Sequence, residues 1–338
     1  MKWTGLFIVW LACISWHGEI SAQTVIDGSG LAVNGGAVSP DGFLVVDDHR
    51  HKAIPSNLWI GQNNGWLQSC SGSGECADHG GNVLTGTVFC AAVYNNRLWL
   101  GENDYLTSCD SSGFRINHGN KGGQIWSMAV FDGKLWLGLS TGELLSCNSS
   151  GVCTNHGDKG ERVGAMAVFG NRLWIGQDEG GLQSCNSSGI CTWHGDKGND
   201  VWALAVFDNR LWLGQNDGSL QSCDGYGACI NHGTQASASI YSMTVFDGRL
   251  WLGQLYGLLQ SCDTSGICSN HGDKGNVIDA MAVFNGRLWI GQYDGTLQSC
   301  NSSGECTSHG DKGEPIRSMA LFHPTSLGGT LFTRAGGR

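Results

Sequence analysis

From Leu58 onward, short apolar runs, alternating segments and Gly/Asn/Asp turns recur in a fixed order. The copy from Val163 to Gly198 displays the unit. Ala165-Met166-Ala167-Val168-Phe169 is apolar, Gly170-Asn171 is a two-residue turn, and Arg172-Leu173-Trp174-Ile175-Gly176-Gln177 is a second run. Glu179-Gly180-Gly181 turns again, Leu182-Gln183-Ser184-Cys185 alternates, Asn186 to Gly189 turns, and Ile190-Cys191-Thr192-Trp193-His194 returns. Asn-Gly and Asp-Gly pairs between apolar runs are strong hairpin signals, and other copies carry Asp132-Gly133, Asp247-Gly248 and Asn285-Gly286. Nothing in the unit has a helical period. The tryptophan of the second run recurs at Trp59, Trp99, Trp136, Trp174, Trp212, Trp251 and Trp289, a spacing of 37 to 40 residues. Four short antiparallel strands per repeat, repeated about seven times, predict an all-β protein, a β-propeller of four-stranded blades.

The two ends bear on the blade number. The apolar first-strand pattern occurs seven times, from Val88–Tyr94 to Ile316–Phe322, and the last copy has no Leu-Trp strand after it. Leu58-Trp59 has no clear first strand before it. Joining Ile316–Phe322 to the blade begun by Leu58-Trp59 closes seven blades and removes exposed sheet edges. Gly42–Val46 as a divergent first strand and Thr330–Thr333 as the start of another blade leave eight as the alternative. The expected organisation is a secretory signal at 1–22, a lead-in at 23–57, the propeller at 58–322 and a tail at 323–338. The signal follows from Lys2, the apolar Leu6–Ile14 segment and Ile20-Ser21-Ala22, and that segment is too short to span a bilayer.

Of 15 cysteines, Cys13 falls in the signal and twelve form C-x5-C pairs. These are Cys70/Cys76, Cys147/Cys153, Cys185/Cys191, Cys223/Cys229, Cys262/Cys268 and Cys300/Cys306, each flanking the third turn of its repeat. The spacing does not suit zinc, and six local disulfides of an extracellular protein are expected. They would pin the outer hairpin of each blade, whose last strand is expected to meet water and to have the fewest packing partners. The second repeat departs. Cys109 has Arg115 where its partner should be, and Cys90 lies in the first strand, so one buried thiol and one free surface thiol are expected. The sharper alternative is an intermolecular bridge through Cys109, giving a disulfide-linked rather than a non-covalent homo-oligomer. The net charge of −10 argues against nucleic acid and anionic membrane surfaces as partners.

Strand phase assigns the turns to two faces. The Asp-Gly turns and the Asn-Ser-Ser-Gly turns share one face, here the bottom, with the glycosylation acceptors Asn148, Asn186 and Asn301. The turns after Gln and the His-Gly-Asp-Lys-Gly connections between blades share the top, the candidate binding face. Its repeated polar residues are His156, Asp158, Lys159, His194, Asp196, Lys197, His271, Asp273, Lys274, His309, Asp311 and Lys312. Gln62, Gln177, Gln215 and Gln292 end second strands, followed in some blades by Asp178, Asp217 or Asp294, and Trp193 is the one plausible stacking aromatic. One reading makes these residues junction structure, with His bonding the turn and the next blade and Asp-Lys-Gly forming an Asx-type turn. The other makes them shallow inter-blade pockets for sugar hydroxyls, multiplied by avidity. The recurring tryptophans are expected in the inter-blade core.

The Leu173–Leu182 run resembles the propeller repeat of bacterial ligand-sensor domains. Near-exact internal symmetry with secretion resembles propeller lectins of the tachylectin type and seven-bladed lectins that bind sugars between blades. The resemblance implies a secreted, multivalent, lectin-like protein with glycans or glycoproteins as partners. A matrix or adhesive scaffold that binds other proteins is the alternative. No cofactor, metal or catalysis is expected, because the polar residues recur with the repeat and no unique Ser-His-Asp set stands out.

Overall fold

The computed structural model describes residues 57–81, 86–235 and 238–322, together with four short strands before them. It is a seven-bladed β-propeller of four-stranded antiparallel sheets. Blade 1 spans residues 57–81, and the following blades span 88–120, 125–158, 163–196, 201–234, 240–273 and 278–311. The ring closes as the repeat count requires. Ile316–Phe322 is the inner strand of blade 1 and pairs with Asn57–Gln62 in the same register that inner and second strands adopt elsewhere. Chain contacts separate a unit of residues 55–324 from a second unit of 1–54 with 325–338. In the second unit Val25–Ile26 pairs with Ala32–Val33, and Leu44–Val46, the candidate extra blade strand, pairs with Gly36–Val38. The signal, the tail and Thr330–Thr333 lie outside the described residues.

Blade 4 shows how the sequence makes the sheet. Its strands are Val163–Phe169, Arg172–Gln177, Gly181–Cys185 and Cys191–Asp196. The first hairpin turn takes positive φ at both central residues, Gly170 (56°) and Asn171 (57°), the twist-matched turn that Gly and Asn favour. Outward-tapering polarity sets strand order, since the second strand is buried throughout after Arg172 while the outer strand is largely exposed.

Blades pack face to face. Phe169, Trp174 and Leu182 of blade 4 form one apolar cluster with Val201, Leu211 and Leu213 of blade 5. All seven recurring tryptophans are buried in such clusters, as their pairing with Leu or Ile predicts. Close approach of neighbouring blades requires Gly176, where a Cβ would lie 2.5 Å from Val201 Cγ1.

Every inner strand carries a β-bulge at its second residue. In blade 4 Val163 pairs with Gln177 and Ala165 with Gly176, so Gly164 has no partner of its own. Bulges re-aim side chains. Here the bulged position faces the ring axis. The fourth position lines the channel below it with Met128, Met166, Met243, Met281 and Met319 in five blades.

All six expected disulfides are present: Cys70–Cys76, Cys147–Cys153, Cys185–Cys191, Cys223–Cys229, Cys262–Cys268 and Cys300–Cys306. Each joins residues directly opposed across the third turn, with Cα atoms 3.9–4.0 Å apart. The first cysteine of each pair is fully buried. The outer strands meet water as expected, but their cysteines turn partly inward. Cys76, Cys153, Cys191, Cys229, Cys268 and Cys306 are only half-exposed, and each packs against an apolar cluster between blades. The physical reason is the bridge itself, which holds the outer-strand cysteine against its buried partner and so extends the core by one residue.

The free thiols need correction. Cys109 is not at the surface; it is buried among Trp59, Val88 and Phe322, and burial pushes its pKa up to about 12. Cys90 occupies the third position of its inner strand, and its thiol donates to the Ile125 carbonyl of blade 3 at 3.4 Å. Arg115, in place of a cysteine, runs along the blade 1–2 junction. It pairs with buried Glu102 at 2.8 Å and donates to the carbonyls of Gly65 and Gly80.

Candidate functional site

The repeated residues of the top face are tied to one another. In blade 4, Arg172 Nε donates to Ser184 Oγ (2.8 Å), and Ser184 Oγ lies 2.8 Å from His194 Nε2. With the serine oxygen accepting from arginine, its single O–H points to Nε2, which leaves His194 Nδ1–H to donate to the Tyr226 carbonyl of blade 5 (3.1 Å). The imidazole stacks on Trp174 with centroids 4.6 Å apart. Burial, with the nearby Lys197 and Arg172 cations, holds the His194 pKa below its ordinary value against the carbonyl bond. Lys197 Nζ donates to the carbonyls of His194 and, in the next blade, Gly227. Asp196 caps the Gly198 N–H at 2.7 Å, and Gln215 Nε2 donates to the carbonyls of Lys197 and Asn199.

The same bonds hold His156, Asp158 and Lys159 with Gln177, then His271, Asp273 and Lys274 with Gln292. They also hold His309, Asp311 and Lys312 with Gln62 across the closing junction. Asp217 and Asp294 cap the backbone of their own turns, and Trp193, 57% exposed, lies over Gly181. Asn148, Asn186 and Asn301 sit in the third turns, where each side-chain carbonyl accepts from the backbone two residues on. The structure therefore gathers the singled-out histidines, lysines and glutamines into blade-to-blade junctions. Asp178 instead bonds Arg162, a residue that lines a different place.

That place is a cavity of about 530 Å³ at the ring axis. Its wall takes the bulged residue from every blade: Phe89, Trp126, Gly164, Trp202, Tyr241, Asp279 and Arg317. Arg162, Val277 and Tyr293, from connections and turns of the top face, complete it. Phe89 stacks on Trp126 (4.5 Å), and Trp202 meets Tyr241 (4.8 Å).

Two guanidinium groups lie against this aromatic wall. Arg162 sits 4.3 Å above Trp126 while bonding Asp178 through Nε and Nη2. Arg317 sits 4.8 Å from the Tyr293 centroid while bonding Asp279 at 2.7 Å. Burial raises the Asp279 pKa, with Arg317 opposing, and burial together with the Asp279 charge raises that of Tyr241. Trp126 Nε1, Trp202 Nε1 and Arg317 Nε are buried without a hydrogen-bond partner. These three atoms are closed off from the cavity, which offers aromatic faces, two guanidinium groups and one carboxylate.

A signal for this site was present in the repeats. The triplets Val-Phe-Cys, Ile-Trp-Ser, Val-Gly-Ala, Val-Trp-Ala, Ile-Tyr-Ser, Ile-Asp-Ala and Ile-Arg-Ser open the inner strands, constant in type at the first position and unrelated at the second. The second position carries no repeat signature, because the copies do not agree there.

No family model matches the chain, and no curated protein matches its sequence. Solved structures do resemble it. The computationally designed protein Ika8 superposes with a TM-score of 0.60 at 16% identity, covering 79% of this chain and 90% of its own. Virginiamycin B lyase from Staphylococcus aureus gives 0.63 at 12% identity, over 75% and 89%. The extracellular domain of a hybrid two-component system from B. thetaiotaomicron gives 0.58 at 20% identity, over 71% and 37%. At these identities the likeness shows the fold alone.

It nevertheless corrects the expectation that this is not an enzyme. The same architecture serves a lyase, and the polar residues of the central cavity do not recur with the repeat, which was the ground for excluding chemistry. Six disulfides accord with an extracellular setting, and no helix among the described residues is long and apolar enough to cross a membrane.

Proposed function

We propose that this is an extracellular carbohydrate-binding propeller that takes its ligand in the central cavity. The observation that carries the reading is the grouping of aromatic faces (Trp126, Trp202, Tyr241 and Tyr293) with the Arg162 and Arg317 guanidinium groups and the Asp279 carboxylate around one cavity. A pyranose has C–H faces that lie on indole rings and a rim of oxygens that accept hydrogen bonds. The volume suits one or two sugar units and falls in the usual range for small-ligand sites. Asp279 adds an acceptor for hydroxyls. Glycans at Asn148, Asn186 and Asn301 would sit in the turns between the two outer strands of their blades, away from the inner strands that line the cavity.

A glycan array probed with the wild-type protein and with Trp202→Ala tests it. Selective signal that disappears in the variant supports the reading, while a signal indifferent to Trp202 refers binding to another surface.

A second reading has its own observation. Phe114, Val152, Ile190 and Ile267 are each 67–70% exposed in the third turns of blades 2, 3, 4 and 6, beside Tyr226 at 91%. An apolar fringe of this kind suits a protein-binding or self-associating scaffold. Sedimentation velocity checks it, with concentration-dependent association that Ile190→Asp and Ile267→Asp abolish.

A further inference from the structure

We infer that the ligand of the central cavity is a chain of sugars, and that Tyr256 is the platform for a unit lying outside the cavity. The inference rests on the carbohydrate reading above and concerns the length of the ligand. Tyr256 is the middle residue of the turn Leu255–Gly257, which follows Gln254 on the top face. It holds φ 61° and ψ 23°, the left-handed region. Bulky L-residues are rare there because Cβ crowds the backbone. The matching turns of blades 1 and 4 hold the same conformation with Asn64 and Glu179, so the repeat imposes the backbone and Tyr256 is the one aromatic of the three placed there.

Packing does not account for the tyrosine, because it is 70% exposed. The turn rests against the inner strand of blade 7, whose Asp279 faces the cavity. Tyr293, in the next blade's turn, is 45% exposed and forms part of the cavity wall. Tyr241 and Tyr293 line the cavity and Tyr256 lies in the turn packed on the cavity's blade 7 strand, three aromatic surfaces of increasing exposure. An aromatic ring left exposed beside a cavity lined by aromatic residues is a surface on which a further ligand unit can lie.

The test uses the full chain and its Tyr256→Asn variant against dimers and hexamers of glucose, galactose, mannose and N-acetylglucosamine, by calorimetry and thermal melting. A ligand platform predicts that the hexamer binds wild-type protein more tightly than the dimer. It also predicts that Tyr256→Asn loses about 3- to 10-fold for the hexamer with the dimer unchanged, and that the variant melts no lower than wild type. A lower melting temperature makes Tyr256 a packing residue and overturns the inference. Equal affinity for dimer and hexamer overturns it while leaving the carbohydrate reading in place. Failure of every sugar to bind removes both.

Discussion

Arg317 and Asp279 stand 38 residues apart at the same bulged position of adjacent blades, and the Arg317 Nη1 to Asp279 Oδ2 distance is 2.7 Å. One period of the repeat thus sets a cation beside an anion on the cavity wall. The partners are unequally buried, the Asp279 side chain 6% exposed and that of Arg317 25%. Removing one partner of a buried pair strands the other. Arg317→Ala should therefore cost about 3 kcal/mol or more, whereas Asp279→Ala should cost roughly 1 kcal/mol because arginine can turn to water. Urea denaturation of both variants checks the asymmetry.

The two kinds of tryptophan should separate stability from binding. Trp212 is fully buried between blades, and Trp212→Ala should lose about 3–5 kcal/mol of stability. Trp202 faces the cavity and is only partly covered, so Trp202→Ala should lose ligand and less than half as much stability. Denaturation and binding measured on the same preparations decide it.

Blade 2 makes a third case. Cys109 and Arg115 are paired in the register that joins Cys185 to Cys191 in blade 4. Arg115→Cys should form the missing disulfide yet destabilise the protein, because Glu102 would stay buried without its cation and burial already raises its pKa. Adding Glu102→Gln, the residue found at the end of the second strand in blades 1 and 4 to 7, should recover the loss. Mass spectrometry for the bridge and melting curves for both variants check this.

Acid should loosen the ring. His79, His118, His156, His194, His232, His271 and His309 all have pKa values lowered from 6.5, chiefly by burial. The unfolded chain then binds more protons than the folded one just below pH 6.5. Their contribution is full above about 6.5 and is lost as pH falls through the lowered values. Melting temperature followed from pH 8 to pH 5 should be flat at first and then decline, and His194→Asn should reduce the decline.

The fold was legible because its determinants recur. Each Trp, each hairpin Gly or Asn and each cysteine pair is written six or seven times, and copies agree where packing between identical neighbours demands it. The junction role of His194, Asp196 and Lys197 was legible only as one of two readings, since sequence gives the residue types but not that Ser184, Tyr226 O and Gly227 O would engage them. The cavity stayed hidden for the opposite reason. A bulge cannot be located from alternation alone, and it is the bulge that turns Trp126, Trp202 and Asp279 towards the axis. The buried position of Cys109 was hidden because the end of a third strand reads as surface, whereas the neighbouring blade covers it here, and the first cysteine of every bridged pair is equally buried.

The most direct measurement is the stoichiometry of sugar binding by isothermal titration, using the hexasaccharide of highest affinity with wild-type, Trp202→Ala and Lys197→Ala proteins. A central site predicts one ligand per chain, binding abolished by Trp202→Ala, and binding unchanged in folded Lys197→Ala. Several equivalent ligands per chain, insensitive to Trp202 and reduced by Lys197→Ala, would return the site to the blade junctions and contradict the account.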